Sequence, residues 1–214
     1  MTPLQLYTYQ TPNGHKASIM LEEIGLPYDV HVIDIEAGEQ TAQGFLALNP
    51  NNKIPVVVDP DWDRTVFESG AILHYLAERS GVLLPGSDAE RIQVLSWTLF
   101  QAAHVGPTFG QLWNYKVFAP EKIPYVIGRF ETEAIRLFRV LEGQLTRHSY
   151  IAGEAYGIAD VMTWPWIHAG LTKLGLVLDA TPNLARWYRA VDARPAVQRG
   201  LLVPRLPDRE SAAA

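Results

Sequence analysis

The 214-residue sequence contains no cysteine. That absence excludes disulfides, thiolate metal sites and a protein-thiol nucleophile, and it fits a reducing compartment. No apolar run reaches the ~18 residues that a membrane-spanning helix needs. Basic residues are not in excess: 18 Lys and Arg stand against 23 Asp and Glu, a net charge of −5. A main partner that is nucleic acid or anionic membrane calls for a basic face, so neither is expected. The opening MTPLQLYTYQTPNG has no charged leader followed by an apolar run. No secretory signal is therefore expected, and the cytoplasm is the default location. His15, His31, His74, His104, His148 and His168 show no paired metal-ligand spacing, so no metal is expected. Gly38 and Gly44 do not form a dinucleotide fingerprint.

What is present changes character along the chain. The first eighty residues alternate between strand and helix patterns. Residues 4–9 read as a strand, and Thr11-Pro12-Asn13-Gly14 as a turn that opens a helix. Ala17, Met20, Leu21 and Ile24 fall at helical spacing, with Gly25 as the stop. Residues 28–34 read as a second strand around Val30 and Val32, 45–48 as a helical turn, 54–58 as a third strand and 65–67 as a fourth. Residues 71–79 then read as a helix opened by Glu68-Ser69. The order βαβ followed by ββα is the thioredoxin layout, two parallel strands with a crossover helix and then a hairpin with a second covering helix.

After Pro85-Gly86-Ser87 the strand signals fade. Ile92, Leu95, Leu99 and Ala102 recur at helical spacing, as do Val126, Phe130, Ala134, Phe138, Leu141 and Leu145. Residues 158–174 are apolar nearly all round and read as a central buried helix kinked at Pro165. Leu184, Trp187 and Val191 mark another helix, ended by Arg194-Pro195. The fold class is thus an α/β thioredoxin-like N-terminal domain followed by an all-α C-terminal domain. The expected division is 1–80, a linker at 81–87, a helical domain over 88–207 and a disordered tail over 208–214.

Three segments of the first domain carry chemistry. In Asn51-Asn52-Lys53-Ile54-Pro55-Val56, Pro55 cannot donate to a sheet and can take the cis form. A cis Ile54-Pro55 bond would turn the N–H and C=O of Ile54 toward a peptide-like ligand; taken alone, the segment is better read as an edge-strand proline without a ligand role. In Phe67-Glu68-Ser69-Gly70, Ser69 sits at a helix start, where N–H groups and the dipole favour a carboxylate, and Glu68 can accept from an ammonium. A plain cap beside a solvated acid is the alternative. In Thr11-Pro12-Asn13-Gly14, Thr11 or Asn13 can donate to an anion at a helix start, unless Asn-Gly serves the turn alone.

Taken together and in order, TPNGHK, PNNKIPVVVD and FESGAILHYLAE resemble the cytosolic glutathione transferases, and in particular the bacterial nu class, glutathione-dependent disulfide-bond oxidoreductases. The resemblance continues through GPTFGQ, IPYVIGRFETE, ADVMTWPW and ARPAV. It implies that Ile54 and cis-Pro55 pair with the cysteinyl backbone of glutathione and that Glu68 and Ser69 hold its γ-glutamyl end. It places Lys53 and Gln40 toward the glycine carboxylate, and Thr11 and Asn13 at the sulfur, where hydrogen bonding favours the thiolate. Tyr7, near the catalytic tyrosine of other transferases, is the reserve candidate; packing under the first helix is the alternative. Arg129 would reach a glutathione in the neighbouring subunit of a homodimer. Gln111, Trp113, Asn114, Tyr115 and Tyr125 would line a second pocket for another glutathione, a small disulfide or an electrophile. Gly157 stands where many transferases have a Ser or Thr three residues before Asp160, which implies a slightly weaker helix start. Three functions follow. They are a glutathione-dependent disulfide reductase, a transferase or peroxidase on small electrophiles or hydroperoxides, and a non-catalytic ligand-binding module.

Overall fold

Short alternating apolar segments form the sheet on which the first unit is built. The computed structural model describes residues 1–206. In β1 (Leu4–Thr8) the buried Leu4, Leu6 and Thr8 alternate with half-buried Gln5 and Tyr7, the period of two that a strand imposes. Next come α1 (Pro12–Ile24), β2 (Tyr28–Val32), a 3₁₀ turn at Glu39–Thr41 and the single turn α2 (Gln43–Leu46). The unit continues with β3 (Val56–Asp59), β4 (Arg64–Phe67) and α3 (Ser69–Ser80). The sheet order is β2-β1-β3-β4; β1 runs parallel to β2 and antiparallel to β3, and β3 runs antiparallel to β4. These elements reproduce the expected βαβ-ββα order. Gly25 ends α1 in the left-handed region (φ 68°), its N–H bonded to Leu21 O at 3.0 Å.

Val30 and Val32 are not core residues. They are 38% and 41% exposed, on β2, one of the two edge strands of the sheet. They line an open depression with Leu202 and Pro204. That depression exists because the chain returns: the described residues from Pro195 onward group with Met1–Ser80, and Gly81–Arg194 form the second unit. The helical domain read over 88–207 therefore stops short. The proposed tail 208–214 lies outside the described residues.

The second unit comprises α4 (Asp88–Phe100), α5 (Gly106–Trp113), α6 (Pro124–Leu145), α7 (Ile158–Lys173) and α8 (Pro182–Asp192). Two π-helical segments, Gln101–Val105 and Asn114–Phe118, flank α5. Of the expected α6 stripe, Ala134, Phe138, Leu141 and Leu145 are buried, with Leu137 beside them, while Val126 and Phe130 in the first turns are only half-buried. In α7 the residues from Ile158 to Ile167 are all buried, and the helix runs through Pro165. The periodic stripe of α4 behaves differently. Ile92, Leu95 and Leu99 are 58%, 40% and 57% exposed, while Val94, Thr98 and Gln101 are buried. The helix was legible; its buried face was not.

The final helix, α9 (Pro195–Gly200), packs on α1. Ser18 Oγ donates to Gly200 O at 2.7 Å. A Cβ at Gly200 would lie 2.7 Å from Ile19 Cα, so only glycine allows this approach. Arg199 Nε meets Glu22 Oε2 at 2.6 Å on the same seam.

Candidate functional site at one end of the sheet

Sheet register decides which segments meet. Tyr7 pairs with Val56, and Val56 also pairs with Phe67. Because β3 runs against both neighbours, the end of β1, the start of β3 and the end of β4 lie side by side. Thr11 follows the first, Pro55 precedes the second, and Glu68 and Ser69 follow the third. The three chemistry-bearing segments, far apart in sequence, converge on one end of one sheet. Asn51 Nδ2 donates to Glu68 Oε1 at 3.4 Å, joining two of them directly.

Thr11 is the N-cap of α1: its Oγ1 accepts from Gly14 N–H at 3.1 Å. A hydroxyl that accepts in this way keeps its own proton to donate. Pro12 occupies the first turn, which has no acidic residue, so the helix start favours an anion. A Cβ at Gly14 would lie 2.1 Å from Tyr9 O and 2.6 Å from Thr8 Oγ1. Glycine lets α1 start against the end of β1. Asn13 is half-buried beside the cap. Thr8 thus faces α1, and Tyr7, its neighbour in the strand, faces the other side of the sheet. There the Tyr7 ring stacks on His31 with centroids 4.4 Å apart, and His31 Nε2 shares a 2.6 Å hydrogen bond with Gln5 Oε1.

Glu68 is held at φ 68°, left-handed and costly for a residue with a side chain. Its carbonyl accepts the first bond of α3, from Ile72 N–H at 2.9 Å. Ser69 is buried at the first position of the helix, whose first turn also lacks an acid. Behind it lies a residue that sequence reasoning passed over. Lys16 on α1 is 2% exposed, and its Nζ donates to Ser69 Oγ at 3.3 Å. Burial lowers its ammonium to about 7, and the Glu68 carboxylate draws it back up. The available signal was its position four residues before Met20, within the apolar stripe of α1.

The Ile54-Pro55 bond is cis, Pro55 is buried and Ile54 half-buried. The loop before it is braced by Asn49, a second residue not singled out from sequence. This buried amide donates from Nδ2 to Lys53 O at 2.6 Å, and its Oδ1 accepts from Asn51 N–H at 2.9 Å. Lys53 is exposed. Gln40 is half-buried; its Oε1 and Asn52 Oδ1 are buried acceptors without a partner among the described residues.

The remaining candidates belong to the second unit. Gln111 and Asn114 are exposed, and Trp113 and Tyr115 half-buried. Trp113 stacks on Phe118 (6.1 Å between centroids, 8° between planes) and Tyr115 on Phe130 (6.0 Å, 13°). Lys116, in the second π-helical segment, bonds Glu131 Oε1 at 2.7 Å and ties that segment to α6. Tyr125 is 80% exposed, and Arg129 one turn later is exposed too. Among the described residues no His, Cys, Asp and Glu cluster could hold a metal, and no helix is long and apolar enough to cross a membrane.

A four-stranded mixed sheet of this order, with two helix starts and a cis-proline loop at one end, defines a thioredoxin-like domain; an all-helical domain accompanies it. The chain belongs to the glutathione S-transferase family: residues 2–78 match the N-terminal domain of that family and residues 129–195 its C-terminal domain. It is 43% identical to disulfide-bond oxidoreductase YghU of Escherichia coli over 95% of this chain and 75% of the relative. It is 39% identical to disulfide-bond oxidoreductase YfcG of the same organism, over 97% and 99% of the two chains. A crystal structure of a Burkholderia graminis glutathione transferase, with two glutathione molecules bound per subunit, superposes with a TM-score of 0.92. That protein is 41% identical, with 96% of this chain and 90% of that one covered.

Proposed function

We propose that this glutathione-dependent enzyme is a disulfide reductase of the nu class, working through the thiolate of bound glutathione. The observation that carries the reading is the convergence of Thr11, Pro55 and Ser69 on one sheet end in a chain with no cysteine of its own. The site then supplies a peptide-shaped slot and two anion-favouring helix starts, while the tripeptide supplies the sulfur. In this reading Ile54 and Pro55 align the cysteinyl backbone, Ser69 takes the γ-glutamyl carboxylate, and Glu68 takes its ammonium. Gln40 and Lys53 meet the glycine end. Thr11 and Asn13 stabilise the thiolate at the start of α1, a position that Tyr7, stacked on His31 across the sheet, is poorly placed to serve.

The reaction is two exchanges. The glutathione thiolate attacks one sulfur of a disulfide, the S–S bond breaks, and the other sulfur departs as a thiolate. A second glutathione thiolate attacks the mixed disulfide, giving glutathione disulfide and releasing the second thiol. The residues proposed for the incoming partner are Gln111, Trp113, Asn114, Tyr115 and Tyr125. Arg129 is proposed for a glutathione of the neighbouring subunit. A cytoplasmic homodimer completes the reading, supported by the exposed apolar stripe of α4. Turnover with 2-hydroxyethyl disulfide should exceed turnover with 1-chloro-2,4-dinitrobenzene. The reverse order would make the chain a conjugating transferase. Negligible rates with both, while glutathione still bound, would make it a ligand-binding module.

A further inference from the structure

Lys16 stands out in the first unit because nothing in the disulfide chemistry above needs it. A lysine is rarely buried, since taking its charge out of water is costly. Here it is 2% exposed, in the middle of the face that α1 turns toward α3. Its Nζ lies 3.3 Å from Ser69 Oγ, directly behind the residue assigned to the γ-glutamyl carboxylate.

Donor chemistry gives the contact a direction. An ammonium has three protons and no lone pair, so it can only donate. In its bond with Lys16, Ser69 Oγ is the acceptor, and the single serine proton must leave along another direction. A carboxylate at the start of α3 accepts and cannot donate, so it needs that proton pointing at it. A neutral amine in place of the ammonium could accept the serine proton and turn it away from the ligand.

We propose that Lys16 is a positioning residue for glutathione: by donating to Ser69 Oγ it commits the Ser69 proton to the γ-glutamyl carboxylate and sets a positive charge beneath that group. The proposal rests on the assignment of Glu68 and Ser69 to the γ-glutamyl end. Glu68 is the charged group that acts on Lys16 from the α3 side. Elsewhere on the elements packed against α1, α9 brings Arg199, held by Glu22 at 2.6 Å. From α3 come His74, Tyr75, Glu78 and Arg79, of which Tyr75 and Arg79 are both bound to Asp59, at 2.6 and 2.9 Å, and β1 brings only Tyr7. On α1 itself stand His15, Glu22 and Glu23.

Because burial brings the Lys16 ammonium to about 7, its charge changes near neutrality. A bound carboxylate favours the charged form, so affinity is greatest on the acid side and falls as pH rises through that value. S-methylglutathione removes the thiol from the titration. Its dissociation constant, measured by calorimetry on the full-length protein at about pH 6 and about pH 8, should rise several-fold for the wild type. Lys16→Met should bind about tenfold or more weakly at the lower pH, with little further change at the higher pH. Its kcat with saturating glutathione should stay within about twofold, because the residue acts on the ligand's carboxylate and not on its sulfur. A folded Lys16→Met protein that binds as the wild type does at both pH values would overturn the proposal. Absence of binding by the wild type at millimolar ligand would instead sink the assignment of the site itself.

Discussion

At Thr11 the oxygen that caps α1 accepts from Gly14 N–H at 3.1 Å and keeps its own proton to donate. Substitution therefore touches both stability and chemistry, and the two separate in measurement. Losing the cap costs about 1 kcal/mol, read in a melt. Losing hydrogen bonds to a thiolate lowers kcat. The double variant Thr11→Ala, Asn13→Ala should reduce disulfide turnover by about tenfold or more while glutathione affinity falls less. Equal losses in both would mean that these residues only place the ligand. The motif TPNG marked this pair as candidates in the sequence. Lys16 and Asn49 were not legible in the same way. A lysine among apolar helix positions reads as a solvated side chain until α3 is known to cover it. An asparagine in a polar loop gives no sign that its amide braces the backbone at Lys53 and Asn51.

At the scale of elements, the start of α7 shows how a missing side chain is offset. Gly157 has no oxygen to cap the helix, so only the returning arm of the cap is present, from Gly157 N–H to Asp160 Oδ2 at 2.9 Å. Asp160 does more than that. Its Oδ1 accepts from Ile151 N–H at 3.0 Å and from Trp187 Nε1 at 2.7 Å, tying α7 to the preceding turn and to α8. Burial pushes its carboxyl up to about 6 against the pull of these donors. Asp160→Ala leaves three buried donors unmatched. It should destabilise the protein by about 3 kcal/mol or more in denaturant unfolding, with the glutathione site little affected in the folded fraction. A loss under about 1 kcal/mol would show that other groups satisfy these donors.

For the whole molecule, the outward stripe of α4 makes the assembly prediction. Ile92, Leu95 and Leu99 repeat at intervals of three and four and are all exposed, an arrangement that a second copy of the chain would cover. Sedimentation should find a dimer for the wild type. The pair Leu95→Glu, Leu99→Glu should give a folded monomer, since two carboxylates in an apolar interface oppose association. A wild-type monomer would end the proposed role of Arg129 across subunits. A variant that remains dimeric would place the interface elsewhere.

The sequence by itself determined the order of elements, because periods of two and 3.6 and the Gly and Pro punctuation are local properties. It also determined that any reactive sulfur has to come from a bound thiol, since no cysteine is present. Only the tertiary structure decided that Thr11, Pro55 and Ser69 share one end of the sheet. Strand register is a contact between residues far apart in the chain, and no local pattern encodes it. The same holds for α4, whose apolar stripe faces out while Val94, Thr98 and Gln101 face in. It holds too for α9, whose helical pattern would suit either unit until Ser18 and Gly200 meet. In each case the partner surface, and not the segment's own composition, sets which side is buried.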